Sequence, residues 1–215
     1  MLAKSFHSFD TPVARDELFG FLVGGHDTTS TTLSWGMKLL ADNPSTANAL
    51  RSALYATLAP DVSSTTLPPP QPAASAIAKA NIPYLDAVIE EMLRCAGTVP
   101  GVFRRAIRDT EVLGHHIPKG TDVFTMSNGP SIYSPPMHIR EEDRSMSGRG
   151  GKELRGAWDE AGMRNFKPER WLKTPQPETG EAVFDPLAGP NAPFGFGPRG
   201  CFGNAFHVCI GWTLY

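Results

Sequence analysis

The chain has 215 residues, of which 40% are hydrophobic and 20% charged, and its formal net charge is −2. This length and composition suffice for one large domain or two small ones with an ordinary apolar core. The nearly balanced charge gives no indication of a nucleic acid or an anionic membrane as partner. Three cysteines argue against a disulfide framework, and the absence of a signal-peptide pattern or a membrane-length apolar run predicts a soluble or peripheral chain.

The first predicted element is one long helix over residues 11–42. Thr11 is a typical N-cap, and Pro12 suits the first helical position. Apolar residues then recur at helical spacing from Leu18 to Leu40.

A run of poor helix formers, Gly24-Gly25-His26-Asp27-Thr28, lies in the middle of this helix. Each glycine costs about 1 kcal/mol of helix stability, so helix stability alone does not explain the run. The hydroxyl of Thr28 is placed to bond the carbonyl of Gly24, which would bend or widen the helix and open a turn for a small molecule or water. A merely kinked helix is the alternative interpretation.

A second helix and a low-complexity stretch follow. Asn43-Pro44 ends the first helix and caps another, which we expect to reach about Leu58. Residues 60–76 are rich in Ser, Thr, Pro and Ala, a composition typical of a disordered or polyproline insertion without chemistry of its own.

The next helix is predicted over residues 82–96, because the apolar residues after Pro83 fall on one helical stripe and Gly97 is a typical C-terminal stop. Glu91 and Arg94, three residues apart, lie together on the opposite side of this helix. By default, such a pair is a solvated ion pair that stabilises the helix only slightly.

Extended structure with turns is expected from Val99 to Met126. The sequence Ile117-Pro118-Lys119-Gly120 is typical of a β-turn, which would join strands near Val112 and residues 123–126. Residues 134–165 are polar and carry clustered charges, so we expect an exposed loop there.

Residues 193–215 combine a glycine-rich loop with a following apolar helix. The loop fits the pattern FxxGxRxCxG at every fixed position, namely Phe194, Gly197, Arg199, Cys201 and Gly203. Five such matches arise by chance on the order of once in several million starting points. The thiolate of Cys201 would lie at the helix N-terminus, where unpaired N–H groups and the helix dipole stabilise an anion, and close to the cation of Arg199. We therefore interpret Cys201 as a metal ligand.

Other interpretations of the loop fit less well. Three of its glycines have the GxGxxG spacing of a dinucleotide-binding loop, but a proline precedes them in place of a strand, and no acidic residue follows at the required distance. A zinc site at Cys201, His207 and Cys209 lacks an accompanying CxxC or HxxxH pair. A buried structural cysteine would not require the complete pattern.

The loop resembles the heme-binding loop of the cytochrome P450 superfamily, the heme-thiolate monooxygenases. The run Gly24–Thr28, the ExxR pair and the segment Phe166–Trp171 resemble three further motifs of that family, in the family's order. The resemblance covers residues 1–215 and corresponds to the C-terminal part of the family's fold. It implies a mainly α fold with small β-sheets (α+β), in which the long helix and the ExxR helix pack around a heme loop, with Cys201 as the ligand of the iron of heme b.

The resemblance also implies roles for residues outside the loop. Thr28 and Asp27 would be the alcohol and acid that help deliver protons to dioxygen. Glu91, Arg94 and Arg170 would form a buried triad that fixes the core around the heme loop, in contrast to the surface ion pair expected by default.

For the heme itself, the resemblance implies a set of contacts. Phe194, Gly197 and Gly203 would form the cofactor-binding loop together with Cys201. Arg199 and Arg104 would contact the heme propionates, and Arg105 is the alternative to Arg104.

By the same resemblance, we expect a monooxygenase that inserts one oxygen atom of O2 into a small organic substrate and receives electrons from NADPH through a separate reductase partner. The alternative is a truncated, catalytically inactive fragment without stable heme binding, because half a core leaves large exposed apolar patches. Full-length eukaryotic relatives are commonly anchored in the endoplasmic reticulum membrane. This sequence shows no anchor or signal, and its localisation does not follow from it.

Overall fold

The computed structural model describes residues 11–58, 72–173, 182–195 and 197–203. The helices are α1 (Pro12–Asp42), α2 (Pro44–Leu58), α3 (Ala74–Lys79), α4 (Pro83–Ala96) and α5 (Met146–Leu154). The strands are β1 (Gly101–Arg105), β2 (Thr110–Val112), β3 (His115–Ile117), β4 (Asp122–Met126), β5 (Leu172–Lys173) and β6 (Val183–Phe184). Short 3-10 helices span Glu141–Asp143, Glu160–Gly162, Pro168–Trp171 and Gly197–Arg199. This architecture confirms the predicted α+β class.

Local rules account for both ends of α1. The hydroxyl oxygen of Thr11 accepts a hydrogen bond from the amide of Ala14 (3.1 Å), and Pro12 occupies the first turn. At the other end, the amide of Asn43 donates to the carbonyl of Leu40 (3.2 Å). The helix is 31 residues long and continues through the glycine-threonine run, where the sequence predicts a bent or widened turn.

Helix α4 is the centre of the core, because its buried side chains face several clusters at once. Ala87 packs with Trp158, Met163 and Trp171; Val88 and Met92 pack with Leu50; and Ile89 and Leu93 form a third cluster. The helix begins with Pro83 in its first turn and ends at Gly97, whose φ of 52° is the left-handed conformation that stops helices. An amphipathic stripe alone would not predict a helix buried on so many sides.

The strands form three antiparallel pairs, β1 with β4, β2 with β3, and β5 with β6. The predicted connection from Val112 directly to residues 123–126 is wrong, because β3 lies between them. Leu113 and Gly114 have φ values of 51° and 79°, as in a type I′ turn, so the chain reverses at once and Val112 pairs with His115. A leucine in this conformation is uncommon, and the turn therefore carries no usual sequence signal.

The exposed loop predicted for residues 134–165 is wrong in part, because helix α5 lies inside it. The helix begins where the hydroxyl oxygen of Ser145 accepts a hydrogen bond from the amide of Gly148 (3.1 Å). Neighbouring charges pair with one another, as Arg140 does with Asp143 through two bonds of 2.8 and 2.9 Å. Capping and local pairing thus order a segment whose composition is typical of a loop.

The end of the same segment is also not exposed. Trp158 and Met163 are buried against Trp171 and belong to the core. The sequence did not predict their burial, because two isolated apolar residues among polar ones give no periodic pattern.

Two other predicted segments fall largely outside the described residues. The insertion predicted as disordered over residues 60–76 is outside them up to residue 71, and α3 begins within its last residues, at Ala74. Disorder is therefore the wrong prediction for residues 74–76, where alanine, the best helix former, dominates the sequence. The apolar helix predicted from about Phe202 onwards lies outside the described residues beyond Gly203.

The two halves of α1 differ in burial. Thr32 and Gly36 are buried, whereas the first half exposes several large apolar side chains. Leu18, Phe19, Phe21 and Leu22 are exposed by 59–68%. Among the described residues, no helix combines the length and the hydropathy needed to cross a membrane.

Gly36 sets how closely α1 approaches α4, and its replacement should destabilise the chain. A Cβ at this position would lie 2.6 Å from the sulfur of Met92, which is itself buried. We expect Gly36→Leu to lower the free energy of unfolding by about 1 to 3 kcal/mol through overpacking. In Gly20→Ala, where the added Cβ meets open space, stability should rise by about 0.5 to 1 kcal/mol. Urea unfolding followed by circular dichroism measures both, and equal effects of the two substitutions would refute the close approach.

Candidate active site

A single buried carboxylate, that of Glu91, organises the centre of the molecule. Its side chain has no exposed surface. Its two oxygens accept five hydrogen bonds, from Arg94 Nε (2.8 Å), Arg94 Nη2 (2.7 Å), Arg170 Nε (3.1 Å), the Lys167 amide (2.8 Å) and Trp171 Nε1 (2.9 Å). A buried charge is tolerated when it is paired and its acceptor positions are filled, and both conditions hold here.

Arg94 connects this carboxylate to the main chain of two distant segments. Its guanidinium donates to the carbonyl oxygens of Ile132 (2.8 Å), Met163 (2.8 Å) and Asn165 (3.1 Å), in addition to Glu91. Burial by itself would lower the pKa of Arg94, but the hydrogen bonds and charge of Glu91 outweigh burial and raise its pKa above the ordinary value. Arg94 is therefore charged in the core.

Arg170 reaches the same carboxylate from the 3-10 helix Pro168–Trp171. It also donates to the carbonyl oxygen of Gly162 (2.8 Å), and its guanidinium lies 5.2 Å from the ring centroid of Trp158, a cation–π distance. The structure therefore brings together the three residues that the ExxR resemblance implies as a triad, and it places them in the core.

Two aromatic residues belong to this network although sequence reasoning gave them no role. The indole N–H of Trp171 donates to Glu91, and Trp171 packs edge-on against Trp158 with ring centroids 4.7 Å apart. Tyr133 donates its hydroxyl to the carbonyl of Arg94, and its ring centroid lies 5.6 Å from the guanidinium. Trp171 directly follows Arg170 in Pro168-Glu169-Arg170, which we call the PxR segment, and could have been noticed there. Tyr133 lies in a turn with no motif around it.

The loop that carries Cys201 is tightly turned. Gly195 and Gly197 have φ values of 66° and 68°, which glycine adopts without strain. The amide of Cys201 donates to the carbonyl of Phe194 (2.7 Å), so the two ends of the loop meet. The side chain of Cys201 is exposed. The loop thus presents a thiol to the surroundings from a tightly turned backbone.

Phe194 anchors this loop to the core. It packs against the cluster of Ile89 and Leu93 from α4, which Leu33 of α1 also touches. Next to the cysteine, Phe202 meets Phe21 of α1 with ring centroids 5.8 Å apart. The loop therefore lies against both long helices.

Thr28 and Asp27 lie at the middle of α1. The hydroxyl of Thr28 donates to the carbonyl of Gly24 (2.7 Å), as the sequence spacing suggests, and a carboxylate oxygen of Asp27 lies 3.0 Å from Nδ1 of the neighbouring His26. Thr28 is seven residues from Phe21 and hence on the same face of the helix. Since Phe21 contacts Phe202, that face is directed towards the Cys201 loop.

The candidate propionate contacts, which are Arg104, Arg105 and Arg199, differ in their exposure and hydrogen bonding. Arg105 forms two hydrogen bonds with Asp122 (both 2.7 Å), and their hydrogen bonding lowers the pKa of Asp122. Arg104 is exposed and donates to the carbonyl of its neighbour Phe103 (2.9 Å). The two arginines are consecutive in β1 and point to opposite faces. Arg199 is exposed in the 3-10 helix of the Cys201 loop.

Comparison with known proteins agrees with this geometry. The family model for cytochrome P450 matches residues 3–134, which is more than half of the chain. The chain belongs to the cytochrome P450 family. Membership in this family implies heme as the cofactor.

Several curated relatives are monooxygenases of this family. The chain is 44% identical over 213 residues to cytochrome P450 monooxygenase TRI13 of Fusarium sporotrichioides, covering 94% of this chain and 35% of that protein. It is 44% identical to cytochrome P450 monooxygenase GME11363 of Pestalotiopsis microspora, covering 90% of this chain and 33% of that protein. It is 37% identical to the Hps1-dma1 cluster monooxygenase cyp3.1 of Dothistroma septosporum, covering 88% of this chain and 62% of that protein. The chain thus spans about a third of the length of the first two.

A solved structure agrees at the level of the fold. The crystal structure of the cytochrome P450DA heme domain superposes with a TM-score of 0.59 at 23% identity, covering 92% of this P450 chain and 35% of that chain. The likeness supports the fold assignment.

The residues around Cys201 fit a heme. A heme-thiolate site needs one sulfur from the protein, since the macrocycle supplies four nitrogens, and Cys201 offers one exposed sulfur. A Cβ added at Gly197 would meet open space, so the loop leaves room for a flat group, and the Cβ position of Gly203 lies 3.6 Å from the sulfur. The donor set and the open loop are both compatible with the macrocycle.

Removal of the buried carboxylate should be severely destabilising. Glu91→Ala would leave the guanidinium groups of Arg94 and Arg170 in the core without their counter-ion, so we expect the free energy of unfolding to fall by about 3 to 5 kcal/mol. Asp42→Ala removes a comparable carboxylate from the exposed pair with Lys38 and should change stability little. Urea titration measures the free energy of unfolding of both variants. Equal losses of this free energy would mean that the network does not stabilise the core.

The described cysteines should differ strongly in reactivity. Burial, followed by the charge of Glu91, raises the pKa of Cys95 to about 11, so only about one thiol in a thousand is ionised at pH 8. Cys201 is exposed. A short pulse of iodoacetamide at pH 8, followed by peptide mass spectrometry, should label Cys201 and spare Cys95, whereas both should react in urea. Equal labelling of the native chain would contradict the burial of Cys95.

Proposed function

We propose that the chain contributes the thiolate half of a heme-dependent monooxygenase that inserts one oxygen atom of O2 into a small organic substrate. The observation that carries the proposal is Cys201, an exposed thiol on a tightly turned loop with the complete FxxGxRxCxG pattern, in a chain of the P450 family. When bound, heme b would supply the oxygen chemistry, and the thiolate would supply electron density that favours O–O cleavage. The electrons would come from NADPH through a separate reductase.

The loop residues would hold the cofactor. Cys201 would ligate the iron, while Phe194, Gly197 and Gly203 would shape the backbone beside it. Arg199 would bind a propionate, because its guanidinium is exposed on the same loop. Arg104 is the better second contact, since Arg105 is already held by two hydrogen bonds to Asp122.

Thr28 and Asp27 would handle protons. The hydroxyl proton of Thr28 is directed to the carbonyl of Gly24, so the lone pairs of its oxygen are free to accept a proton or a water. The carboxylate of Asp27, next in sequence and exposed, would exchange protons with solvent. Glu91, Arg94 and Arg170 would keep α4 and the PxR segment fixed beneath the loop.

A second candidate function is favoured by the exposed side chains of α1. Leu18, Phe19, Phe21 and Leu22 are exposed by 59–68%, and exposed apolar groups of this size promote association. On this alternative, the 215-residue chain taken by itself is catalytically inactive and does not bind heme stably.

An optical spectrum separates the two candidates. We expect the purified chain with added heme, reduced and exposed to carbon monoxide, to give the red-shifted Soret band of a thiolate ligand. The band should disappear in Cys201→Ala, because no sulfur remains on the loop, and persist in Cys95→Ala, because Cys95 is a partly buried residue of α4. Absence of heme uptake, or an imidazole-type band that survives Cys201→Ala, would refute the proposed function.

A further inference from the structure

The base of the Cys201 loop is held by contacts that neither the heme-loop pattern nor the ExxR triad includes. The side-chain amide of Asn191 donates to the carboxylate of Glu90 in α4 (3.1 Å). The main-chain carbonyl of Asn191 accepts a hydrogen bond from Nη1 of Arg155, just after α5 (2.6 Å). We call these three residues the Asn191 clamp. It joins the loop to two separate elements through one residue.

The clamp lies where it can control the cysteine. Asn191 is ten residues before Cys201, and the backbone between them is closed by short turns. The amide of Gly195 donates to the carbonyl of Ala192 (3.0 Å), and the amide of Cys201 returns to the carbonyl of Phe194 (2.7 Å). These two hydrogen bonds connect the residues next to Asn191 with the backbone of Cys201, so a displacement at Asn191 would be transmitted to the sulfur.

The approach to the clamp is also packed tightly. The indole N–H of Trp158 donates to the carbonyl of Pro190 (3.3 Å). A Cβ added at Gly189 would lie 2.5 Å from the Trp158 ring, and one added at Gly156 would lie 2.1 Å from the carbonyl oxygen of Ala188. The chain thus enters the loop along a fixed path between α5 and the core.

Helix α4 links the clamp to the buried network. Glu90 and Glu91 are adjacent, so their side chains project about 100° apart around the helix. Glu91 points inward to Arg94 and Arg170, and Glu90 reaches the loop. The same helix also supplies Ile89, against which Phe194 packs.

We propose that Asn191 is a positioning residue for the thiolate, held by Glu90 and Arg155 so that the sulfur of Cys201 is directed to its iron. The inference rests on the proposed heme function for its purpose, but the clamp itself is a property of the chain. Asn191 touches neither the cofactor nor the reacting atoms and acts through the loop. Loss of its side-chain hydrogen bond loosens the base of the loop without emptying the core.

The first measurement is hydrogen exchange of the heme-free chain, at the amides of Cys201 and Gly195, with the amide of Met92 in α4 as internal reference. In Asn191→Ala and in Glu90→Ala, exchange at the loop amides should be about tenfold faster, because one charge-assisted hydrogen bond is lost. Glu90→Gln keeps an oxygen acceptor and should remain close to the unsubstituted chain. Asn48→Ala, which removes an exposed asparagine that pairs with Arg51, is the matched control.

Three results of this measurement would overturn the clamp. The first is loop exchange in Asn191→Ala no faster than in Asn48→Ala. The second is equal acceleration at Met92, which would mean general destabilisation. The third is an additive effect in the double variant Glu90→Ala/Asn191→Ala, because partners in one hydrogen bond should give a double effect smaller than the sum of the two single effects.

The second measurement uses the heme-loaded chain. In Asn191→Ala and in Glu90→Ala, a large part of the thiolate-type Soret band of the reduced carbon monoxide complex should be lost. Glu90→Gln should keep more of this band than Glu90→Ala. Faster loop exchange with an unchanged band would refute the positioning role. If the unsubstituted chain takes up no heme, the proposed function fails, and the exchange results alone decide whether the clamp exists.

Discussion

The buried charge of Glu91 is the constraint on which the rest of the structure depends. A carboxylate without exposed surface must be neutralised and fully hydrogen-bonded, and its donors come from α4, from Lys167 and from the 3-10 helix that follows it. The remaining N–H groups of Arg94 must also be hydrogen-bonded, and they donate to main-chain carbonyls of two further segments. One charge thereby fixes the positions of chain segments that are up to 80 residues apart in sequence.

Different faces of α4 contact different parts of the chain. This arrangement explains how a buried network can position an exposed thiol. Glu91 and Arg94 face the PxR segment, whereas Ile89 and Glu90 contact the Cys201 loop through Phe194 and Asn191. Met92 faces α1 at Gly36. A rigid helix transmits its position to each of these neighbours, so that the loop is placed by the same element that the charge network immobilises.

The local sequence patterns predicted only those interactions whose partners are close in sequence. The Thr11 cap, the bond from Thr28 to Gly24 and the proximity of Glu91 to Arg94 each involve residues three or four apart, and the structure has all three. Burial of the Glu91 pair followed from family resemblance and not from spacing, because an ExxR pair is normally solvated. Trp158, Tyr133 and Asn191 escaped prediction, since their partners lie 32 to 101 residues away and no periodic pattern marks them. The β2–β3 hairpin escaped because its turn uses leucine at positive φ.

The unequal burial of α1 separates the two parts of the candidate site. Its second half is held by Gly36 against Met92 and by the buried Thr32, which bonds Thr98 across the chain (2.8 Å). Its first half is largely exposed and meets the Cys201 loop through the aromatic pair of Phe21 and Phe202, and Asp27 and Thr28 lie at the middle of the helix. The Cys201 loop thus packs against α4, which carries the charge network, whereas Asp27 and Thr28 lie on a stretch of α1 outside that network. Heme capture and oxygen chemistry would therefore depend on different contacts, and a chain that achieves the first need not achieve the second.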